Sequence, residues 1–381
     1  MIIPKYPSTG VTIFSVMSAL AQEHQAINLS QGFPDFPIDE ALGDLVAKAI
    51  KEGYNQYAPM PGLLVLREAI SRKVEHFQQV AIDPVTEVTI TPGATYAIYT
   101  AFATILQPGD EVIVLEPAYD SYVPNIYANG AVPVRVPLNK EDFGVDWERV
   151  FAAASQRTKA IIINNPHNPC GSTWAPEDFQ QLIKLVQEYD LYVVADEVYE
   201  HLVFDNEAHL SVLRFPELRD RSFAVYSFGK AFHSTGWKLG YCIAPPSLTD
   251  AFRALHQYLA FSVNTPMQQA LALYLEDLGR LAATTRLLQD KRDFFLEQMK
   301  DTRFRYRRPA SGSYFQVMSY EALSDLPDQE FARWLTQEHG VATIPLSSFY
   351  GSAPDNQRLV RFCFAKKEAT LEAAAGRLSI L

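Results

Sequence analysis

From about residue 87 the chain repeats one unit: a short apolar run, a tight turn, then a helical pattern. EVTIT (87–91) passes through PGAT into YAIYTAFATIL. EVIVLEP (111–117), VPVRVPL (132–138), AIIINN (160–165), LYVVADE (191–197), SFAVYSF (222–228) and WKLGYCIA (237–244) follow as further strand candidates. Several are apolar almost throughout, the pattern of strands covered on both faces. Between two of them, PEDFQQLIKLVQEY (176–189) sets Phe179, Leu182, Ile183 and Val186 on one helical face behind Pro176. Alternation of this kind leaves few architectures open. It predicts an α/β domain built on a mostly parallel sheet with helices on its faces.

After about residue 265 the texture changes to long helical stretches mixed with GSYFQVM, EFARWLTQEHG, LVRFCFA and a closing helix. This α+β pattern predicts a second, smaller domain. The expected divisions are 1–40 as an N-terminal arm and small-domain segment, 41–270 as the large domain, and 271–381 as the small C-terminal domain. GFPDFP (32–37) reads as a loop.

With 381 residues, 48% of them apolar, the chain can fill one large core and one smaller one. Acidic residues exceed basic ones by 44 to 33, a formal charge of −11 that argues against nucleic acid or anionic membrane as partner. Cys170, Cys242 and Cys363 are widely spaced and form no C-x-x-C pair, so neither a zinc site nor a disulfide framework is indicated. They read as thiols in a reducing cytoplasm. No long apolar core follows the start MIIPKYPSTG, as a signal peptide would need, and no run approaches the ~20 apolar residues of a membrane helix.

In an open α/β sheet, ligands sit at the carboxyl ends of the strands. Those ends deliver Gly93, Ala94 and Thr95 to a helix N-terminus suited to an anion, then Tyr119, the proline-flanked Asn168, Asp196 with Tyr199 three residues on, and Ser227 with Lys230. The Gly-Lys pair at 229–230 is not a nucleotide loop. The positions that would need Gly and Ser or Thr hold Ala224 and Ala231. No GxGxxG or GxSxG is present. Glu197 and His201 are two residues, too few for a metal site, and His167 sits inside a proline-flanked turn. An anion cradle, an aromatic ring, an amide, a carboxylate, a phenol and an amine suit a ligand with a phosphate, a flat ring, a ring nitrogen, a ring hydroxyl and an aldehyde.

At these residues the sequence resembles the fold type I pyridoxal-phosphate aminotransferases, class I/II, in the branch of kynurenine, glutamine and bacterial methionine aminotransferases. QGFPDFP (31–37), NQYAPMPG (55–62), PHNPCG (166–171), ADEVYEHLVF (195–204), SFGKAFHSTGWKLGY (227–241) and LVRFCFAKKEATL (359–371) carry the likeness in order along nearly the whole chain. The resemblance implies a seven-stranded-type sheet in the large domain and pyridoxal 5′-phosphate as cofactor. Lys230 would form the Schiff base and shuttle the proton, while Asp196 would pair with the ring nitrogen. Tyr199 and Asn168 would bond the ring hydroxyl, and Tyr119 would stack on the ring. Ala94, Thr95, Ser227 and Lys238 would hold the phosphate, joined by Tyr57 of a neighbouring subunit in a homodimer. Arg361 would clamp the substrate carboxylate, with Gly32 letting the backbone close over it. Phe14, reaching in from the partner, would cover the substrate side chain.

The implied reaction moves an amino group from methionine or another bulky apolar or aromatic amino acid to a 2-oxo acid, by a ping-pong route. A thioether packs well on aromatic edges, and such a pocket separates similar apolar chains poorly. A β-lyase acting on cysteine conjugates, or a kynurenine or glutamine aminotransferase, is the alternative on the same scaffold. A regulatory module without catalysis is disfavoured by the acidic balance and by the thirty or so residues before GFPDFP, too few for a DNA-binding domain.

Overall fold

The computed structural model describes residues 6, 10–354 and 356–381. The first segment, read above as lacking a signal-peptide core, falls largely outside the described residues. Twelve short strands are labelled here in chain order: β1 Ile27–Asn28, β2 Val88–Thr91, β3 Glu111–Glu116, β4 Val132–Pro137, β5 Thr158–Asn164, β6 Tyr192–Asp196, β7 Ser222–Ser227, β8 Gly240–Ile243, β9 Phe315–Ser319, β10 Val341–Ala342, β11 Ile344–Pro345 and β12 Leu359–Cys363.

Seven of them form one sheet in the order β2-β8-β7-β6-β5-β3-β4. Every neighbouring pair is parallel except those of β8, which runs antiparallel to both β2 and β7. All seven runs singled out in the sequence are strands here. The apolar ones, β3 and β7 among them, are buried under helices on both faces, as continuous runs require. β4 carries Pro133 and Pro137 and is the edge strand, where a missing N–H costs no ladder bond. The helix Pro176–Tyr189 starts on its proline, accepts Ala175 N–H on Asp178 at 2.9 Å, and buries Phe179, Leu182, Ile183, Leu185 and Val186.

The one reversed strand matters for the site. Parallel neighbours need a crossover of a dozen residues or more, usually through a helix on a sheet face, whereas antiparallel ones can be joined at one edge. The chain therefore leaves β7 at Ser227, makes a single helical turn, Phe228–Ala231, and re-enters the sheet at Gly240 without leaving the rim. The Gly-Lys segment is that connection. Gly240 sits between β2 and β7, where a Cβ would lie 2.4 Å from Tyr226 O and 3.2 Å from Ala94 N. Only glycine fits.

A second, antiparallel sheet has the order β11-β12-β9 and its own core around Phe295, Phe304, Phe331 and Phe362. The two-residue β1 pairs with β10 beside it, and the helix Ile13–Glu23 packs on the helix Asp328–His339. Residues 13–29 thus lie on this second unit. The loop 30–37 then crosses from it towards the large sheet.

Candidate active site

A cavity of about 120 Å³ opens at the carboxyl rim of the large sheet. Its walls include Gly93, Ala94, Thr95, Tyr119, Asn168, Asp196, Tyr199, Ser227, Lys230 and Lys238. Ten residues named from sequence, drawn from six separate segments, share this one space.

Its floor is built at the end of β6. Asp196 is buried, accepts Tyr122 OH on Oδ2 at 2.6 Å and Val198 N–H on Oδ1 at 3.3 Å. Burial raises its pKa to about 6, against the lowering pull of those two donors and of Lys230. Asn164 ties the same strand to the turn beyond β5. Its Nδ2 donates to Asp196 O at 2.8 Å, and its Oδ1 accepts Asn168 N–H at 2.7 Å. Lys230 is deeply enclosed, and desolvation brings its ammonium down to about 8. Its Nζ donates to Gly32 O at 3.3 Å and lies 5.6 Å and 5.7 Å from the ring centres of Tyr199 and Tyr314. The Tyr314 hydroxyl donates to Lys230 O, fixing the backbone from which the amine projects.

At the far end of the cavity the helix Ala94–Ile105 starts at Gly93 with no side-chain cap. Its first N–H groups and the positive end of its dipole face a space shared with Ser227 and Lys238, a seat for a dianion. Tyr119 is held neutral by burial, its hydroxyl pushed up to about 12.

Arg361, in the middle strand β12, is 1% exposed. Its Nη1 donates to Asn168 Oδ1 and its Nη2 to Ser30 O, both at 2.8 Å, and its Nε has no acceptor. The guanidinium stacks 3.9 Å from the Phe315 ring centre, with Phe349 at 5.0 Å and Phe14 at 5.4 Å. Desolvation lowers it to about 10, still charged at neutral pH. An unpaired donor on a buried cation is costly unless something anionic meets it.

Some placements differ from the sequence reading. Phe14 lies against Arg361 of its own chain, edge-on to Phe349 at 5.8 Å. The packing of its helix on Asp328–His339 of the same chain, with Met17 buried between, explains this. Gly32 has a steric reason of another kind: a Cβ would sit 2.6 Å from Phe315 Cζ. Tyr57 is outside the cavity, 81% exposed, edge-on to Phe261 at 5.4 Å. Tyr122, Asn164, Ser30, Tyr314 and Phe315 were not found from sequence, although Tyr122 sits three residues beyond Tyr119 in EPAYDSY. Among the described residues no three His, Cys, Asp or Glu gather as a metal site. His167 is held neutral by burial, at about 4.

The family pattern described as aminotransferase class I and II matches residues 24–378. The chain belongs to the class I and II aminotransferases. This aminotransferase chain is similar to the methionine aminotransferase of Escherichia coli, 48% identical over 375 residues that cover 98% of this chain and 97% of that protein. A solved Escherichia coli structure with methionine aminotransferase function superposes with a TM-score of 0.97 at 47% identity, covering 100% of both chains. The kynurenine–oxoglutarate transaminase of Dictyostelium discoideum is 34% identical over 414 residues, covering 97% of this chain and 94% of that one. The fold is that of fold type I aminotransferases, and the family cofactor is pyridoxal 5′-phosphate. The residues present fit that group: an uncapped helix start for its phosphate, a buried carboxylate for its ring nitrogen, and a desolvated amine for its aldehyde.

Proposed function

We propose that this pyridoxal-phosphate aminotransferase moves the amino group of methionine, and of other bulky apolar or aromatic amino acids, to a 2-oxo acid in two half-reactions. When bound, the cofactor supplies an electron sink for the carbon that loses its proton. The chain's own residues do the rest. Lys230 would hold the cofactor covalently at Nζ, and its amine, once displaced by the substrate, would take the proton from the substrate Cα and hand it to the cofactor carbon that had carried the aldehyde. An amine brought down to about 8 is deprotonated in a useful fraction near neutrality, unlike one at its ordinary 10.5. Asp196 keeps the ring nitrogen protonated, oriented by Tyr122 and Val198. Ala94, Thr95, Ser227 and Lys238 seat the phosphate, Tyr119 stacks on the ring, and Asn168 with Tyr199 meets the ring hydroxyl. Arg361 takes the substrate carboxylate on its free Nε and a terminal nitrogen.

One observation carries the substrate class: the carboxylate clamp is surrounded by Phe14, Phe315 and Phe349. Aromatic edges favour a thioether or a ring over a second charge. The likeness to methionine aminotransferase supports the same choice. Tyr57, with Tyr258 89% and Phe261 45% exposed, supports a homodimer in which Tyr57 reaches the neighbouring site. Separate cores under the two sheets support a large and a small domain, with the large core running on through Leu281. Three buried free thiols support a cytoplasmic location; among the described residues no helix is long and apolar enough to cross a membrane.

The test is a panel of amino donors and 2-oxo acid acceptors. Methionine and phenylalanine should exceed aspartate in kcat/KM by at least tenfold. Aspartate as the better donor would overturn the substrate reading, and pyruvate and ammonia released from a cysteine conjugate faster than methionine is transaminated would make the chain a lyase.

A further inference from the structure

A second cavity, larger than the reaction site, lies elsewhere in the molecule. It is a cleft of about 710 Å³ on the other side of the Asn168–Phe315 wall, between the two sheet units. The large unit contributes residues 140–145, 170–175 and Asp178; the second unit contributes Arg303, 305–309, part of strand β9, Pro354 and 356–359. In a chain of formal charge −11, this cleft gathers Lys140, Arg303, Arg305, Arg307, Arg308 and Arg358. The run RFRYRR (303–308) supplies four of them.

Among the described residues, four carboxylates share the lining, but they are largely engaged. Asp178 accepts Ala175 N–H and Trp147 Nε1–H, and Asp142 accepts Gly144 N–H. Glu141 pairs with Arg307 across the cleft at 2.5 Å, and the same guanidinium donates to Lys140 O at 2.8 Å. Arg305 meets only backbone carbonyls, those of Thr302 and Phe304, and Arg303 meets Ala322 O. Arg358 pairs with Asp325 at 2.8 Å, whereas Arg303 and Arg305 keep donors to spare. Guanidinium groups converging on a roomy cleft are the arrangement that recognises phosphate or carboxylate oxygens.

The back wall of the cleft is shared with the reaction site. Cys170 and Gly171 close the turn that begins at Asn168, and Gly171 O accepts Ser311 N–H at 2.8 Å and Gly312 N–H at 3.0 Å. Gln316 and Val317 follow Phe315, which stacks on Arg361. A ligand that grips both walls would fix the relation between Asn168 on one unit and Arg361 on the other.

We infer that this cleft is a second binding site, for a small, multiply charged organic anion, and that its occupation alters amino-acid binding at Arg361. The inference goes beyond the transaminase reading, because anion binding can be measured without turnover. Phosphorylated and polycarboxylate metabolites share the required chemistry.

The experiment uses the cofactor-loaded protein, with ADP and citrate as separate probes in calorimetry. Methionine KM is then measured at saturating probe, with KCl at matched ionic strength as control. At least one probe should bind without changing the cofactor absorbance and should shift methionine KM at least twofold. In the double variant Arg305→Gln/Arg308→Gln, basal activity should be unchanged, the probe should bind at least tenfold more weakly and the KM shift should vanish. Which probe binds tells phosphate from carboxylate. Binding by neither, equal binding to wild type and variant, a KM shift reproduced by KCl, or displacement of the cofactor would each overturn the proposal.

Discussion

The turn Asp196–Glu200 serves two clusters of buried polar groups, one on each side of the large sheet, and the two are finished differently. In front, Asp196 and Tyr199 face the cavity. Behind, Glu197 accepts Val212 N–H at 2.9 Å, Tyr226 OH at 2.7 Å and His209 at 3.1 Å. Glu200 takes Lys73 Nζ at 2.5 Å and Tyr241 OH at 2.8 Å, and Lys73 also meets Tyr241. Burial alone would raise Glu200, but the Lys73 ammonium carries it below the usual carboxylate range. The rear carboxylates each take two or three donors. In front, Lys230 has one long hydrogen bond from its amine, Arg361 has an idle Nε, and Asp196 titrates near 6. Fully partnered groups hold the backbone still, while partly partnered ones keep their capacity for a ligand and for protons.

Lys230→Ala tests the front at its least partnered amine. Turnover should fall by about 10²–10⁴-fold or more, the range for losing a positioned proton carrier, with little change in denaturation midpoint. Unchanged turnover would remove the residue from its role. The rear should answer in the opposite way. Lys73→Met strands Glu200 as a buried, unpaired charge and should cost about 3–5 kcal/mol in urea unfolding. Lys73→Met/Glu200→Leu, which removes both charges, should recover most of that loss. If the single variant is as stable as wild type, the rear cluster is not what holds the turn.

A smaller effect is due where the two clusters meet. Tyr122→Phe takes one donor from Asp196, so its pKa should rise above about 6 and cofactor affinity should fall roughly tenfold, the order of one charge-assisted hydrogen bond. Equilibrium titration of the cofactor into wild type and variant measures this. The last difference is a slope. Because Lys230 is lowered from 10.5 to about 8, the folded cofactor-free chain binds fewer protons than the unfolded one between those values. Its penalty is full below about pH 8 and fades as pH rises towards 10.5. Cofactor-free Lys230→Met should therefore be more stable than cofactor-free wild type at pH 7, with the gap closing above pH 8. A gap independent of pH would contradict the desolvated amine.

Much of the front was legible in the sequence, and none of the rear was. Strand ends are marked by turn residues, so Asp196, Asn168 and Lys230 could be placed on one rim before any fold was known. The seven strands could be found because buried strands are apolar throughout. Their order, and the reversal of β8, could not be read, since periodicity carries no information about neighbours. Lys73 lies on an otherwise ordinary amphipathic helix, Leu64–Gln78, 127 residues from its partner Glu200. Tyr122 and Tyr314 look like core aromatics, and only contact reveals their hydroxyl partners, Asp196 Oδ2 and Lys230 O. Which copy's site Phe14 serves could not be read either, since a sequence position carries no information about subunits; within the chain its ring lies 5.4 Å from Arg361.

The central claim is that the front cluster is organised around a covalent bond at Lys230. Borohydride reduction of the cofactor-loaded protein, followed by digestion and peptide mass spectrometry, tests it directly. The account predicts the reduced cofactor on the peptide containing Lys230, and no labelling there in Lys230→Ala. Label found instead on Lys238 or Lys73, or its persistence in Lys230→Ala, would contradict it.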